Sequence, residues 1–255
     1  MPDPVFAEPI PAATLVLFRE RGDGGAPELL IVERAASMAF AGGALVFPGG
    51  RVDPGDHALA LRDVPGDPHG AARIAAIRET IEEAGIAIGL APLPDAAMLG
   101  EIRAALARGE PFAALLDAAG LSLAGDALEP FARWCPRHAN MRIFDTMFFL
   151  ARLPENAPEV AVDGTENARA FWASAQAVLD LCDRGDASVI FPTRRNLERL
   201  AQHASFEAAV ADARRHGTGV VTPWTELRDG TEYLCIPDDL GYPVTAEPLG
   251  GARRS

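Results

Sequence analysis

Cysteine is scarce in this chain, and its three cysteines, Cys135, Cys182 and Cys235, lie far apart. They form no CxxC pair, so neither a zinc site nor a disulfide framework is expected. This usage fits a reducing compartment, and we expect a cytoplasmic location. The acidic, proline-rich start, Met1-Pro2-Asp3-Pro4, does not resemble a secretory signal or a transit peptide.

Positive charge and long apolar runs are also in short supply. The 23 Lys and Arg residues face 36 Asp and Glu residues, which gives a formal net charge of −13. A polyanion would be repelled, so nucleic-acid binding by counterion release is not expected. A small phosphorylated substrate fits if a metal ion offsets the local charge. No apolar run approaches the roughly 18 residues of a membrane span, so no membrane partner is expected.

What is present is an ordinary globular composition. The chain has 255 residues, of which 49% are hydrophobic and 23% are charged. This content supports a sizeable core and excludes a mostly disordered protein. We predict one domain spanning 1–255, with a core at 12–185, a helical insertion at 95–129, and C-terminal helices and a hairpin at 186–245.

Apolar patterning predicts a mixed α/β fold. Strands are expected at Ala12–Phe18 and Glu28–Glu33, joined by a turn at Gly22–Pro27 into a hairpin. The Pro- and Gly-containing segment 51–70 reads as a polar loop. Strands and helices then alternate without a regular βαβ period, which favours a mixed sheet flanked by helices. Further strands are expected at Ala44–Phe47, Met141–Leu153 and Ala170–Trp172.

The clearest helix is predicted at Ala71–Ala84, where Ile74, Ile77 and Ile81 form one apolar stripe. Gly85 stands where a helix commonly ends in the left-handed conformation. Asp229-Gly230 predicts a hairpin turn near the end of the chain. Other helices are expected as two short ones within Asp95–Gly120 and as single ones at Ala175–Cys182, Thr193–His203 and Phe206–His216.

Three glutamates crowd the last turn of that helix. Glu79 lies three and four positions before Glu82 and Glu83, so the carboxylates share one edge. Like charges at this spacing oppose helix formation, and the helix dipole disfavours anions there. Arg78 can pair with one of them, and a divalent cation such as Mg²⁺ or Mn²⁺ would compensate more fully. The alternative is a solvated acidic helix end.

An upstream glycine pair adds to this pattern. Phe47-Pro48-Gly49-Gly50 follows a predicted strand, and two glycines allow a tight turn with an exposed carbonyl. Such a carbonyl could be a further hard oxygen ligand for the same cation. An ordinary surface loop is the alternative.

Together these segments resemble the Nudix box, G-x5-E-x7-R-E-U-x-E-E-x-G-U, where U is bulky and aliphatic. Thr80 departs at the first U position, and Asp56 stands where the pattern has its first glutamate. Asp56 and Arg78 are separated by 21 residues, 14 more than the pattern has. Loop closure entropy grows slowly with length, so the insertion leaves the helix intact. The matching residues are Gly50, Arg78, Glu79, Glu82, Glu83, Gly85 and Ile86.

The expanded box resembles one subgroup, the coenzyme A diphosphatase-like Nudix hydrolases. Arg34-Ala35, followed by Gly43 and Phe47-Pro48-Gly49-Gly50, is similar to the signature of its coenzyme A-directed members. Ala39 stands in place of the second arginine of that signature. Similar stretches continue at Phe131–Pro136, Arg142–Phe149 and Pro192-Thr193.

The resemblance implies an α/β/α Nudix sandwich and roles for particular residues. Glu79 and Glu83 would be the main metal ligands, with Glu82 and the Gly49 carbonyl as further ligands. Arg78 would orient the glutamates.

The resemblance also implies candidates for proton transfer and substrate binding. The catalytic general base would be Glu82, Glu83 or Glu166, the last on a loop before the Phe171-Trp172 strand. Substrate contacts would come from Arg34, Gly50 and Phe144.

The implied activity is hydrolysis of a diphosphate bond with Mg²⁺ or Mn²⁺. Coenzyme A or acyl-coenzyme A is the preferred substrate class, and NADH, ADP-ribose or another nucleoside diphosphate derivative is the alternative. A non-catalytic Nudix-fold ligand sensor and a structural scaffold are further alternatives. The expected partner is a small molecule. The sequence leaves the oligomeric state open, although members of the family are often homodimers.

Overall fold

The computed structural model describes residues 8–36, 42–136, 142–155, 157, 159–160 and 167–252. Within them, an eight-stranded mixed sheet has the strand order β10-β7-β8-β1-β2-β3, with β4 also paired to β1 and β9 to β2. Its strands are β1 (Ile10–Arg19), β2 (Glu28–Arg34), β3 (Leu45–Val46), β4 (Gly49–Arg51), β7 (Glu129–Trp134), β8 (Phe144–Arg152), β9 (Asn167–Ala173) and β10 (Val220–Val221).

Helices cover both faces of this sheet, as the sequence predicts. Helices α1 to α4 lie on one face and α5 to α7 on the other. An α/β/α arrangement is therefore confirmed. The helices are α1 (Pro54–Asp63), α2 (Gly70–Ala84), α3 (Ala96–Ala107), α4 (Phe112–Ala119), α5 (Ala175–Asp183), α6 (Phe191–Leu200), α7 (Phe206–His216) and α8 (Leu249–Ala252).

The central strand β1 divides the core in two. Leu15 and Leu17 belong to the hydrophobic cluster under α2, whereas Val16 and Phe18 belong to the cluster under α5 to α7. This follows from the alternation of side chains across a strand. Strand β1 runs parallel to β8 and antiparallel to both β2 and β4. Strand β4 pairs with β1, and α2 packs on one face of β1. The glycine turn that begins β4 therefore lies beside α2.

The polar loop predicted for 51–70 is wrong in part, because α1 occupies Pro54–Asp63. The prolines and glycines of this segment predict breaks in any helix. Proline is favoured at the first helical position, and Pro54 stands there after the extended residue Asp53. The buried Leu59 then packs in the α2 cluster. The inserted residues of the box thus carry a helix of their own.

The remaining elements are small. Strands β5 (Leu90–Ala91) and β6 (Ser122–Leu123) pair, and β11 (Trp224–Arg228), β12 (Thr231–Cys235) and β13 (Ala246–Pro248) form a third sheet. The predicted hairpin is confirmed, because β11 and β12 are antiparallel across Asp229 and Gly230, which both have positive φ. Among the described residues, no helix is long and apolar enough to cross a membrane.

Candidate active site

Helix α2 presents its glutamates at one edge of the core. Its stripe of Ile74, Ile77 and Ile81 is fully buried against the sheet. Because neighbouring positions on a helix are about 100° apart, this anchoring turns the glutamates towards β4. Glu83 is only 6% exposed. The helix ends at Gly85, which adopts the predicted left-handed conformation with φ of 67°.

The glycine turn is built against two of these carboxylates. The Gly49 N–H donates to Glu83 Oε2 at 2.9 Å. A Cβ on Gly50 would lie 2.3 Å from Glu79 Oε1, so only glycine leaves room for that carboxylate. A Cβ on Gly49 would instead lie 2.3 Å from the backbone oxygen of Ala13. The two glycines therefore have different roles, since Gly49 lets the strands approach and Gly50 accommodates the carboxylate.

Replacing Gly50 with alanine is expected to damage the site more than the fold. The new methyl group would push the Glu79 carboxylate away, and a displacement of about 1 Å at a reacting centre can cost about 100-fold in rate. Gly55→Ala on α1 is the matched control, because its Cβ would meet nothing within 4 Å. Initial rates and thermal melts of both variants check this. Wild-type activity in the Gly50 variant would contradict the close approach.

Arg78 connects α2 with α1 and with β4. Its Nη1 donates to Glu79 Oε1 and to Glu82 Oε1, both at 2.9 Å. Its Nε and Nη2 donate to the two carboxylate oxygens of Asp56, at 3.2 and 2.9 Å. Nη2 also donates to the Arg51 carbonyl on β4 at 3.0 Å. One buried guanidinium thus fixes two glutamates of α2 relative to α1 and β4.

Asp56 occupies the position of the first box glutamate and contacts Arg78 from there. It is 2% exposed, and its Oδ2 also accepts from the Asp53 N–H at 2.9 Å. That hydrogen bond stabilises the first turn of α1. The shorter side chain therefore reaches the arginine because α1 brings its backbone close.

The site carries more negative than positive charge. Arg78 lies within 3 Å of the carboxylates of Asp56, Glu79 and Glu82, and Glu83 adds a fourth carboxylate at the glycine turn. Burial raises the pKa of Glu79 to about 8, with Arg78 opposing this shift and the neighbouring Glu83 and Glu82 contributing to it. A cation would relieve this repulsion.

The donor set fits a hard divalent cation in its chemistry. Several carboxylates at one helix end are the ligands that Mg²⁺ and Mn²⁺ prefer. Among the described residues, no three His, Cys, Asp or Glu side chains already converge as a ready-made metal site. This agrees with the contacts above, because Glu79 and Glu82 point at Arg78. The metal-ligand roles of Glu79, Glu82, Glu83 and the Gly49 carbonyl remain predictions.

Two other predicted site residues that the structure describes, Arg34 and Phe144, lie on β2 and β8. Arg34 ends β2, and its buried Nε has no hydrogen-bond partner among the described residues. Phe144 begins β8 beside Ile10, three positions along β1 from the residue that pairs with Gly50. That separation is roughly 10 Å along the strand. Glu166 and Ala39 lie outside the described residues.

One residue at the site was missed by sequence reasoning. Arg103 on α3 donates from Nε to the Glu82 carbonyl at 2.9 Å and from Nη2 to the Glu83 carbonyl at 3.4 Å. No local pattern could indicate this, because Arg103 lies 20 positions after Glu83. The predicted pair of helices within Asp95–Gly120 is confirmed, and it places Arg103 at the end of α2.

Comparison with solved structures finds similar folds. A Nudix hydrolase from Alicyclobacillus acidocaldarius is 29% identical, with a TM-score of 0.70 over 81% of this chain and 97% of that one. A MutT protein from Methanosarcina mazei Go1 is 15% identical, with a TM-score of 0.45 over 78% and 97%. The NUDIX domain of Shewanella oneidensis NrtR, complexed with ADP ribose, is 14% identical, with a TM-score of 0.43 over 76% and 86%.

Only the first of these carries weight, because the other two TM-scores are below 0.5. No protein-family model matches the chain. The chain is therefore similar to this Nudix hydrolase over most of its length, and the residues that resemble the Nudix box are gathered at one end of α2.

Proposed function

We propose that the chain is a metal-dependent Nudix hydrolase that cleaves the diphosphate bond of a nucleoside diphosphate derivative. The observation that carries the proposal is the meeting of α2 and β4. There Glu83 is fixed by the Gly49 N–H, Glu79 lies against Gly50, and Arg78 ties Glu79 to Glu82. A solvated acidic helix end would not need a buried arginine and a glycine turn built against its carboxylates.

The residues of the site would have separate roles in hydrolysis. A bound Mg²⁺ or Mn²⁺ would neutralise phosphate oxygens and lower the pKa of the attacking water. Arg78 would hold two of the cation's ligands, Glu79 and Glu82, in place by charge-assisted hydrogen bonds. The Gly49 N–H fixes one oxygen of Glu83, which restricts the carboxylate to one orientation. Glu82 and Glu83 are the candidates for general base among the described residues.

Within this activity, coenzyme A or acyl-coenzyme A is the proposed substrate class. Two features support it, the Arg34-to-Phe47-Pro48-Gly49-Gly50 pattern and the hydrogen-bonding state of Arg34. Its buried Nε, without a partner among the described residues, is a donor suited to a phosphate oxygen. NADH, ADP-ribose or another nucleoside diphosphate derivative is the alternative substrate within the same chemistry.

Arg34→Gln is expected to raise KM about tenfold and to change kcat little. The arginine would contact a substrate phosphate equally in the ground and transition states, and such binding acts on KM alone. Steady-state kinetics on the preferred substrate measure this, with Arg184→Gln as an exposed arginine control. An unchanged KM would remove Arg34 from the substrate site.

The proposed function is tested by product analysis. Purified protein with Mg²⁺ or Mn²⁺ is incubated with coenzyme A, acetyl-coenzyme A, NADH, ADP-ribose and diadenosine polyphosphates, and products are resolved by mass. Release of 3′-phospho-AMP from the coenzyme A compounds alone would support both reaction and substrate class. Cleavage of another compound would keep the reaction and discard the coenzyme A preference. Cleavage of none of the panel would contradict the proposal.

A further inference from the structure

The last turn of α2 lacks a cation of its own. The helix has no basic residue there, although Glu82 and Glu83 project from that turn. Free carbonyls and the negative end of the helix dipole oppose carboxylates at this position. The Gly85 N–H satisfies only the Ile81 carbonyl, at 3.0 Å. The Glu82 and Glu83 carbonyls therefore need donors from outside the helix.

Arg103 supplies those donors from α3. Its guanidinium bonds the backbone carbonyls of both glutamates, Glu82 and Glu83, rather than their carboxylates. The helix that carries it is anchored in the same hydrophobic cluster as α2 through the buried Leu99 and Ile102. Arg103 is itself half-buried, so its geometry is restricted.

We propose that Arg103 is a positioning residue that holds the carboxylates of α2 in place for cation binding. The inference rests on the proposed function, because cation binding by the carboxylates at the end of α2 is part of that function. Its physical basis is that Arg103 fixes the main chain of Glu82 and Glu83. Loss of this contact would let the last turn fray and would spread the carboxylates over more orientations.

A positioning role and a purely electrostatic role of Arg103 predict opposite changes in Mn²⁺ affinity when the arginine is replaced. Arg103 is a cation beside the cation site, so removing its charge alone would strengthen Mn²⁺ binding. Removing a positioning contact would weaken Mn²⁺ binding, because outer contacts of metal ligands typically contribute 10- to 100-fold in affinity. A purely structural role would lower Tm and leave the affinity of the folded protein unchanged.

The experiment compares Arg103→Met and Arg103→Lys with the wild-type protein. Arg108→Met is the matched control, because Arg108 is an exposed arginine at the end of the same helix whose ion-pair partner in the described part of the chain is Glu110. Mn²⁺ dissociation constants, amide hydrogen exchange over residues 81–86, and Tm are measured. We expect about a tenfold weaker Mn²⁺ affinity and faster exchange in the methionine variant. We expect partial recovery with lysine and wild-type values in the control.

Two results would overturn the proposal. Unchanged or tighter Mn²⁺ binding in Arg103→Met would remove the positioning role, whatever happens to Tm. Absence of Mn²⁺ binding in the wild-type protein would overturn the proposed function itself, and with it this assignment. The two failures are distinguishable, because only the second affects the wild-type protein.

Discussion

Replacing Glu83 with glutamine is expected to lower kcat for diphosphate hydrolysis by about 100-fold or more. Glutamine has nearly the same shape, and its amide oxygen can still accept from the Gly49 N–H. What the substitution removes is a negative charge that we assign to cation binding or proton transfer. Initial rates at limiting Mg²⁺ are the measurement.

The fold should survive this change. Glu83 repels the neighbouring carboxylates, and its loss relieves a crowded, buried cluster. We therefore expect Tm to stay the same or to rise. Glu101→Gln is the control, since it is an exposed glutamate on α3. Activity within twofold of wild type in the Glu83 variant would mean that this carboxylate has no part in the reaction.

Replacing Arg78 with methionine is expected to have the largest effect on stability. The side chain is 9% exposed and the Asp56 carboxylate it contacts is 2% exposed. Removing one partner of a buried ion pair leaves an uncompensated charge, which typically costs about 3–5 kcal/mol. The free energy of unfolding from urea titration measures this. Arg78→Lys should recover only part, because an ammonium group cannot reproduce the fork of contacts.

A double variant separates the ion pair from other effects. If the loss comes from the orphaned carboxylate, adding Asp56→Asn to Arg78→Met should recover part of it, and the two changes should be strongly non-additive. A loss below about 1 kcal/mol in Arg78→Met, the range of exposed pairs, would show that the contact behaves as a surface ion pair.

Periodicity and local signals predicted the fold where they were strong. The three isoleucines of α2 and the terminal Gly85 placed that helix to within one residue of its observed start at Gly70. The predicted helix at Ala175–Cys182 corresponds to α5, which Ser174 caps by accepting from the Ala177 N–H. Helix α6 begins at Phe191, two residues before the predicted Thr193, because Pro192 fits a first helical turn.

The sequence predicts only those parts of the site whose residues lie close together along the chain. Glu79, Glu82 and Glu83 follow from their spacing on one helix, and the glycine turn from its composition. The Asp56 contact depends on α1, where the composition predicts a loop, and the Arg103 contact joins a side chain to distant carbonyls. Such long-range partners leave no periodic trace in a single sequence. They depend on how the inserted helices pack against α2.

Direct titration with Mn²⁺, followed by the loss of the free-ion EPR signal, tests most directly whether the α2 carboxylates hold a divalent cation. The comparison is between the wild-type protein, a Glu79→Gln/Glu83→Gln double variant and the Glu101→Gln control. We expect saturable Mn²⁺ binding by the wild-type and control proteins and its loss in the double variant. Equal Mn²⁺ binding by all three would place the cation elsewhere and contradict the assignment of this site.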